Sequence, residues 1–286
     1  MKNHENFGVS LKGIIESVKK ISLKKRGIFS GDFYLSQTGL AAHFEKEWAD
    51  LLLNSKNTHF EFVPFELKHL SQGDSVLVAK TLLEIIKKDS IKPESYLEIG
   101  PGLGRAFYEI VKETPSLHKG QLVEPSKHLA TTLKNLFLVK SASVFPVIFG
   151  NEYLSEVSID PVQVREPFQN FDLEIINGQF NEETNKLEMS DLVLCLNVID
   201  QCKNPKELLD LVKAKTSPNG ILAISCTYQW RKNFLGINKP PFKNLRSQFG
   251  EEWEVLKEEE LPFSIRINER FWYTFLSQVL YLKRKG

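Results

Sequence analysis

The short apolar run Tyr96-Leu97-Glu98-Ile99 opens directly into Gly100-Pro101-Gly102-Leu103-Gly104-Arg105. Such a run reads as a buried strand ending in a sharp turn, because each glycine permits backbone angles or close approaches that a side chain forbids. A helix over roughly residues 105–112 is expected next, with its N-terminal amides aimed at whatever sits over the turn. That geometry suits a nucleotide-like ligand. The spacing narrows the choice. A dinucleotide fingerprint reads G-x-G-x-x-G, and its last glycine would fall at Arg105.

The flanking sequence sets this turn in an α/β chain. From about residue 91, strand and helix patterns alternate, which predicts a parallel sheet covered by helices. Strands are expected at Tyr96–Ile99, Gly120–Val123, Asp191–Leu196 and Ile221–Cys226. Either Val144–Phe149 or Phe171–Ile176 supplies a third strand. A helix over Pro205–Lys215 and a turn at Pro218-Asn219-Gly220 separate the last two parallel strands. Two β-rich runs close the chain, Trp253–Leu256 and Tyr273–Leu282, with Pro262 between them. Residues before about 90 read as helical instead. Leu11, Ile14, Ile15 and Val18 fall at helical spacing, as do Phe44, Trp48, Leu51 and Leu52, and then Val76, Val78, Leu82, Leu83 and Ile86. A glycine-punctuated aromatic loop carrying Phe29, Phe33 and Tyr34 lies between the first two. The division expected is a helical cap, residues 1–90, packed on a ligand-binding domain, residues 91–286.

What stands at the turn is Glu98-x-Gly100-x-Gly102-x-Gly104, and Glu124-Pro125 follows at the end of the second strand. The run resembles the first motif of the class I S-adenosylmethionine (SAM) methyltransferases. An acid at the end of the second strand suits the ribose, since two vicinal hydroxyl donors match one carboxylate acceptor. The other reading of Glu124 is a solvated loop carboxylate. The resemblance implies a Rossmann-like class I methyltransferase fold: a mostly parallel seven-stranded sheet ending in a C-terminal antiparallel hairpin. It also implies SAM as cofactor, with Glu98 beneath it ordering the glycine loop. Gln179 and Phe180, after the third-strand candidate, match the place where that family binds adenine: Gln179 would accept from the amino group and Phe180 would lie against the base. A surface turn is the alternative there.

The acceptor side is expected at the end of the fourth strand, by the crevice rule for open α/β sheets. The sequence there is Leu196-Asn197-Val198-Ile199-Asp200-Gln201-Cys202-Lys203-Asn204-Pro205. Asn197 lacks the Pro-Pro-aromatic continuation of methyltransferases acting on nucleobase or glutamine amines. The pattern resembles methyltransferases acting on a histidine ring nitrogen, either the methyltransferase domain of ovothiol synthases or the protein-histidine methyltransferases. Thr227-Tyr228-Gln229-Trp230 and Glu260-Leu261-Pro262-Phe263-Ser264-Ile265-Arg266 look like the ovothiol-type domain, whereas Ile267–Tyr273 departs from it. The resemblance covers most of residues 91–286. It implies a small imidazole substrate such as histidine or a thiohistidine, with a histidine-containing peptide as the alternative partner.

Imidazole chemistry would then assign roles. A neutral ring nitrogen is already a nucleophile, so alignment and desolvation can supply most of the rate. The other nitrogen must be held as an N–H donor. Asp200 is the candidate acceptor for that proton, or else an N-cap for the helix that starts shortly afterwards. Asn197 would hold the ring or the methionine part of the cofactor. Tyr228 and Tyr273 would flank the ring or anchor the substrate, or cover the sheet edge. Tyr34 and Arg266 are candidate substrate-binding residues.

Composition removes other classes. Net charge is +1 across 286 residues, which gives no broad footprint for nucleic acid or an anionic membrane. Three cysteines are too few, and odd in number, for a disulfide framework. Cys195 and Cys226 read as small core residues. A reducing cytoplasm is the expected compartment. The six histidines are scattered without metal-ligand spacing. Oligomeric state is left open by the sequence.

Overall fold

The computed structural model describes residues 37–52, 74–139, 142–149, 153–178, 187–230, 240–268 and 271–286. The expected helix around Leu11–Val18 and the aromatic loop with Tyr34 lie outside them.

In chain order the described elements begin with helices α1 (Gln37–Leu52) and α2 (Asp74–Lys88). Strand β1 (Ser95–Ile99), helix α3 (Arg105–Glu113), strand β2 (Lys119–Glu124) and helix α4 (Lys127–Phe137) follow. Next come β3 (Ser143–Phe149), β4 (Tyr153–Ile159), β5 (Asp172–Asn177) and β6 (Ser190–Cys195). Helix α5 (Pro205–Lys215) leads to β7 (Thr216–Cys226), then β8 (Trp253–Asn268) and β9 (Phe271–Arg284).

Seven strands form one sheet in the order β5-β2-β1-β6-β7-β9-β8. β5, β2, β1, β6 and β7 run parallel, and β9 and β8 add to β7 as an antiparallel hairpin. A mostly parallel sheet with an antiparallel C-terminal pair is thus present. The choice left open for the third strand falls on β5, which pairs with β2. The competing run, Val144–Phe149, pairs instead with Tyr153–Ile159 in a separate two-stranded sheet. Phe145 explains that placement: its ring stacks on Phe44 of α1 at 4.6 Å, which fixes the small sheet to the helix.

Side chains alternate across the main sheet, as a period of two requires. Tyr96, Leu122, Leu192, Leu194, Ile221 and Ala223 pack on one face with α1 to α4. Leu97, Ile99, Val123, Val193, Cys195, Leu222 and Ile224 pack on the other with α5 and the segment around Phe242 and Leu245. Phe107, Phe137, Phe168 and Phe171 form a ring cluster at centroid separations between 4.9 and 5.6 Å, edge-to-face except for the tilted Phe107–Phe168 pair. Truncating its central ring, Phe107, to alanine would cost about 3–5 kcal/mol. The described part of the expected cap shares this core, since Phe44, Trp48, Val78 and Leu82 are all essentially inaccessible.

Local signals explain most boundaries. Ser126 caps α4, its Oγ accepting the Leu129 amide, and Pro205 opens α5 at a position where a missing N–H costs nothing. The hairpin strands run longer than their apolar segments. Lys257, Glu258, Glu259 and Glu260 interrupt the hydrophobic pattern of β8, yet it pairs throughout with β9 and even carries Pro262. β8 is the edge of the sheet, where charges and proline are tolerated. Pro218-Asn219-Gly220, expected as a turn, lies within β7, where the pairing shifts register and Asn219 takes a positive φ of 64°.

Candidate functional site

The C-terminal ends of β1 and β2 lie side by side, and the Gly100 amide donates to the Val123 carbonyl at 2.8 Å. The loop after β1 therefore meets Glu124 directly. Gly100, Gly102 and Gly104 have φ of 66°, 59° and 79°, a region that side chains rarely adopt. Their surroundings differ. A Cβ on Gly100 would lie 2.4 Å from Val198 Cγ2, and one on Gly104 would lie 2.7 Å from Phe137 Cε2. Those two glycines permit contact with the protein's own chain. Among the described residues, a Cβ on Gly102 would meet nothing within 4 Å. Its left-handed turn faces space that no described residue fills.

Glu124 borders that space. Its Oε1 accepts the Ser126 amide at 2.8 Å, and the Gly102 amide also points at the carboxylate. Burial pushes its pKa up to about 7 against these two bonds. A carboxylate with two backbone donors still has lone pairs for a vicinal diol. Pro125 follows it in a turn braced by Asn177, whose Nδ2 donates to the Glu124 and Pro125 carbonyls at 2.9 and 3.3 Å.

Glu98 lies on the α1–α4 face of β1 beside Tyr96, whose hydroxyl donates to Oε2 at 2.7 Å. Burial raises its pKa to about 8, and the charges of Glu47 and Glu124 add to that rise. Glu98 therefore senses both of the other acids of this corner.

Glu47 was not anticipated from the sequence, and it completes the corner. It projects from α1 and its Oε2 accepts the amide of Arg105, the first residue of α3, at 3.2 Å. Ser75 Oγ donates to Oε1 at 3.1 Å, and Lys46 Nζ stands 3.7 Å away. Burial pushes its carboxyl up; nearby Lys46 opposes this and Asp74 adds to it. The signal for Glu47 was present in the pattern: it sits three residues after Phe44 and four before Leu51, on the apolar face of the helix.

Arg105, at the position of the missing glycine, is buried and turned outward. It grips Asp50 with two nitrogens at 2.6 and 2.8 Å and Glu109 at 2.8 Å, and it also donates to the Glu47 carbonyl. Its guanidinium lies over the Trp48 ring at 5.4 Å, and Trp48 Nε1 donates to the Leu103 carbonyl at 3.0 Å. Helix α1 is thereby fastened onto the glycine loop.

The acceptor-side residues meet a different fate. Asn197 has a left-handed φ of 55° just after the end of β6, and both Nδ2 and Oδ1 of its side chain find partners. Nδ2 donates to Asp74 Oδ2 at 2.8 Å, while Oδ1 accepts from Ser225 and Ser277 at 3.0 and 2.7 Å. Asp74, also unanticipated, pairs with Lys46 at 2.6 Å. Asn197 thus ties α2, and through Lys46 α1, to β7 and β9, with one Nδ2 hydrogen beyond the bond to Asp74.

Asp200 is buried and clamps the loop after β7. Its Oδ2 accepts the Thr227 and Gln229 amides at 3.1 and 3.2 Å and the Thr227 hydroxyl, while Oδ1 accepts from Gln201 at 3.1 Å. Burial raises its pKa against those bonds. The N-cap position of α5 belongs to Asn204, and the partners of Asp200 hold the loop after β7. Tyr228 donates to Gln278 Oε1 and accepts the Leu245 amide at 2.7 Å, which ties its hydroxyl into the opposite face. Tyr273 lies out along the hairpin against Phe271, with ring centroids 4.7 Å apart. Tyr34, Gln179 and Phe180 lie outside the described residues, as does the side chain of Arg266.

No protein-family model matches the chain, and no curated protein matches it either. Solved structures do resemble it. The plantazolicin methyltransferase in complex with S-adenosylhomocysteine (SAH) is 13% identical with a TM-score of 0.48, over 96% of this chain and 99% of that one. Magnesium protoporphyrin IX methyltransferase from Synechocystis PCC 6803, with bound SAH, is 10% identical with a TM-score of 0.44, over 78% and 89%. Precorrin-6y C5,15-methyltransferase from Geobacter metallireducens GS-15 is 10% identical with a TM-score of 0.42, over 73% and 88%. Likeness at this level is too low to carry chemistry from one chain to another, so the site stands on its own residues.

Proposed function

We propose that this protein is a SAM-dependent methyltransferase. The observation that carries the reading is the pairing of Gly102 with Glu124. A left-handed glycine opens onto space that no described residue fills, beside a buried carboxylate that keeps lone pairs for a ribose diol. The charges favour SAM over a dinucleotide. Among the described residues, Glu47, Asp74, Glu98 and Glu124 lie near one lysine, Lys46, since Arg105 is spent on Asp50 and Glu109. A pyrophosphate would push these already raised carboxyl pKa values higher still, whereas a ligand whose sulfonium and ammonium outweigh its carboxylate favours their ionised forms.

When bound, SAM would supply an electrophilic methyl group. The chain would contribute the rest. Glu124 would hold the ribose, Gly102 would admit the ligand against the backbone, and Glu98 would fix the loop from below through Tyr96. Gln179 and Phe180 keep the adenine-side roles that the family resemblance implies.

For the acceptor we propose an imidazole ring nitrogen of a small molecule such as histidine or a thiohistidine, on the strength of the Asn197–Asp200 and Leu261–Phe263 sequence patterns. Protein-histidine methylation is the second reading. Neither requires Asp200 as a base: a neutral imidazole attacks with its own lone pair, and alignment with desolvation can supply the rate. Tyr34 and Arg266 remain the substrate-binding candidates, and Tyr273 is the candidate to flank the ring. Residues 1–90 are read as a cap over the cleft. A cytoplasmic location is part of the proposal; among the described residues no helix is long and apolar enough to cross a membrane.

The deciding experiment titrates the full chain with SAM and SAH by calorimetry, then offers labelled SAM with a panel of imidazoles and histidine peptides, read by mass spectrometry. Saturable binding with a methylated ring nitrogen is expected. Absence of SAM and SAH binding would overturn the cofactor reading. Binding with methylation only on another atom type would overturn the acceptor reading alone. Binding with no transfer to any acceptor would favour a non-catalytic SAM-binding partner protein.

A further inference from the structure

Helix α3 starts without a side-chain cap from its own neighbourhood: Gly104 precedes it and offers none. The carboxylate on its first amide comes instead from α1, through Glu47 Oε2 at 3.2 Å from Arg105 N. This is where a strand-turn-helix motif ordinarily holds a phosphate, since the first-turn amides and the helix dipole attract negative charge. The place is built. Glu47 is 4% exposed, braced by Ser75 Oγ, and carried on a helix bolted to the loop by Trp48 and Arg105. Beside it Gly102 opens onto the space described above.

From this geometry we infer that Glu47 is a specificity-determining residue: it fills the phosphate position of the glycine loop with the protein's own carboxylate. The inference rests on the SAM reading of the same site. It adds that the loop accepts phosphate-free, cationic adenosyl compounds and rejects phosphorylated ones, and that the N-terminal helix, rather than the glycine motif, imposes the choice. The charged groups around the ligand space agree. Glu98 senses the charges of Glu47 and Glu124, and Lys46 is drawn closer to Asp74 than to Glu47.

The test is equilibrium binding of SAM and NADH to the full chain and to Glu47→Gln, with Glu188→Gln as a surface control and circular dichroism to verify folding. NADH carries the pyrophosphate that Glu47 would exclude. The unsubstituted chain should bind SAM and not NADH. Glu47→Gln should lower the selectivity for SAM over NADH by about tenfold or more, the scale of one charge at a helix terminus in a poorly solvated site. The control should leave it unchanged. A second measurement needs no variant: adenosine and 5′-AMP compete against SAM on the unsubstituted chain, and AMP should be weaker by about tenfold or more. Glu47→Gln that folds and keeps full selectivity would overturn the inference while leaving the SAM reading intact. So would AMP competing as well as adenosine. Failure of the unsubstituted chain to bind SAM would overturn the SAM reading itself, and the inference with it.

Discussion

The two halves of the crevice use polar residues in opposite ways. Around the glycine loop, Glu98 and Glu124 are buried with their pKa values raised to about 8 and about 7, so their charge is held at a cost. Around the end of β6, Asp200 is buried and Asn197 half-buried, and most of their donors and acceptors are used by Asp74, Ser225, Ser277, Thr227, Gln229 and Gln201. The first half is left unsettled by the fold, as a binding site often is. The second half is settled and holds the loops in place. A polar residue at a crevice is therefore informative only when its hydrogen-bonding capacity is left over.

This contrast can be broken most sharply at Gly102. Gly102→Asp places a side chain and a charge into the space it faces at a left-handed φ, and SAM binding should fall by about a hundredfold or more. Calorimetry alongside a melting curve separates lost binding from lost fold. Retained affinity would mean that the ligand lies elsewhere.

Glu98 probes the cost carried by the unsettled half. Its folded pKa of about 8 exceeds the ordinary carboxyl value of about 4.3. Between those values the folded state binds more protons than the unfolded state, so stability falls as pH rises through that window. Glu98→Gln should remove the fall and stabilise the apoprotein at pH 9 relative to pH 5, by on the order of a few kcal/mol. Chemical denaturation at the two pH values measures it. A variant with the same pH slope as the parent would contradict the buried-charge account.

Asp200→Ala should do the reverse. It strands the Thr227 and Gln229 amides and the Thr227 hydroxyl, and should lower stability by about 2–3 kcal/mol while SAM affinity holds within about threefold. Unchanged melting with abolished methyl transfer would restore Asp200 to a catalytic role.

Glu124→Gln should weaken SAM by about tenfold through loss of a charged acceptor. The smallest effect is on the parent protein itself. SAM affinity should rise several-fold from about pH 6 to about pH 8.5 as Glu124 and Glu98 ionise. A flat profile would mean that neither carboxylate touches the ligand or its field.

Much of the fold was legible because the parallel strands are nearly continuous apolar runs bounded by glycine, proline and capping residues. The expected range of α5, Pro205–Lys215, matches its boundaries, and β6 agrees with its run to within one residue, whereas β7 begins at Thr216, ahead of the expected Ile221 and through the expected turn. The third strand was ambiguous because Val144–Phe149 and Phe171–Ile176 have equal local claims; only pairing with β2 or with β4 distinguishes them. β8 was half hidden, since an edge strand need not alternate where its charges reach water.

By itself the sequence determined the strand-turn-helix around Gly100–Gly104, the acid at the end of β2 and the parallel α/β order. These depend on local backbone permission and short-range periodicity. The tertiary structure decided which polar groups are free to act. Asp200 lies close to the fourth strand in sequence, but its partners at Thr227 and Gln229 come from the loop after β7. Glu47 lies far from the glycine loop in sequence, yet it caps the helix that the loop begins. Hydrogen-bond capacity is consumed by whatever folding brings near, and no window of sequence contains those partners.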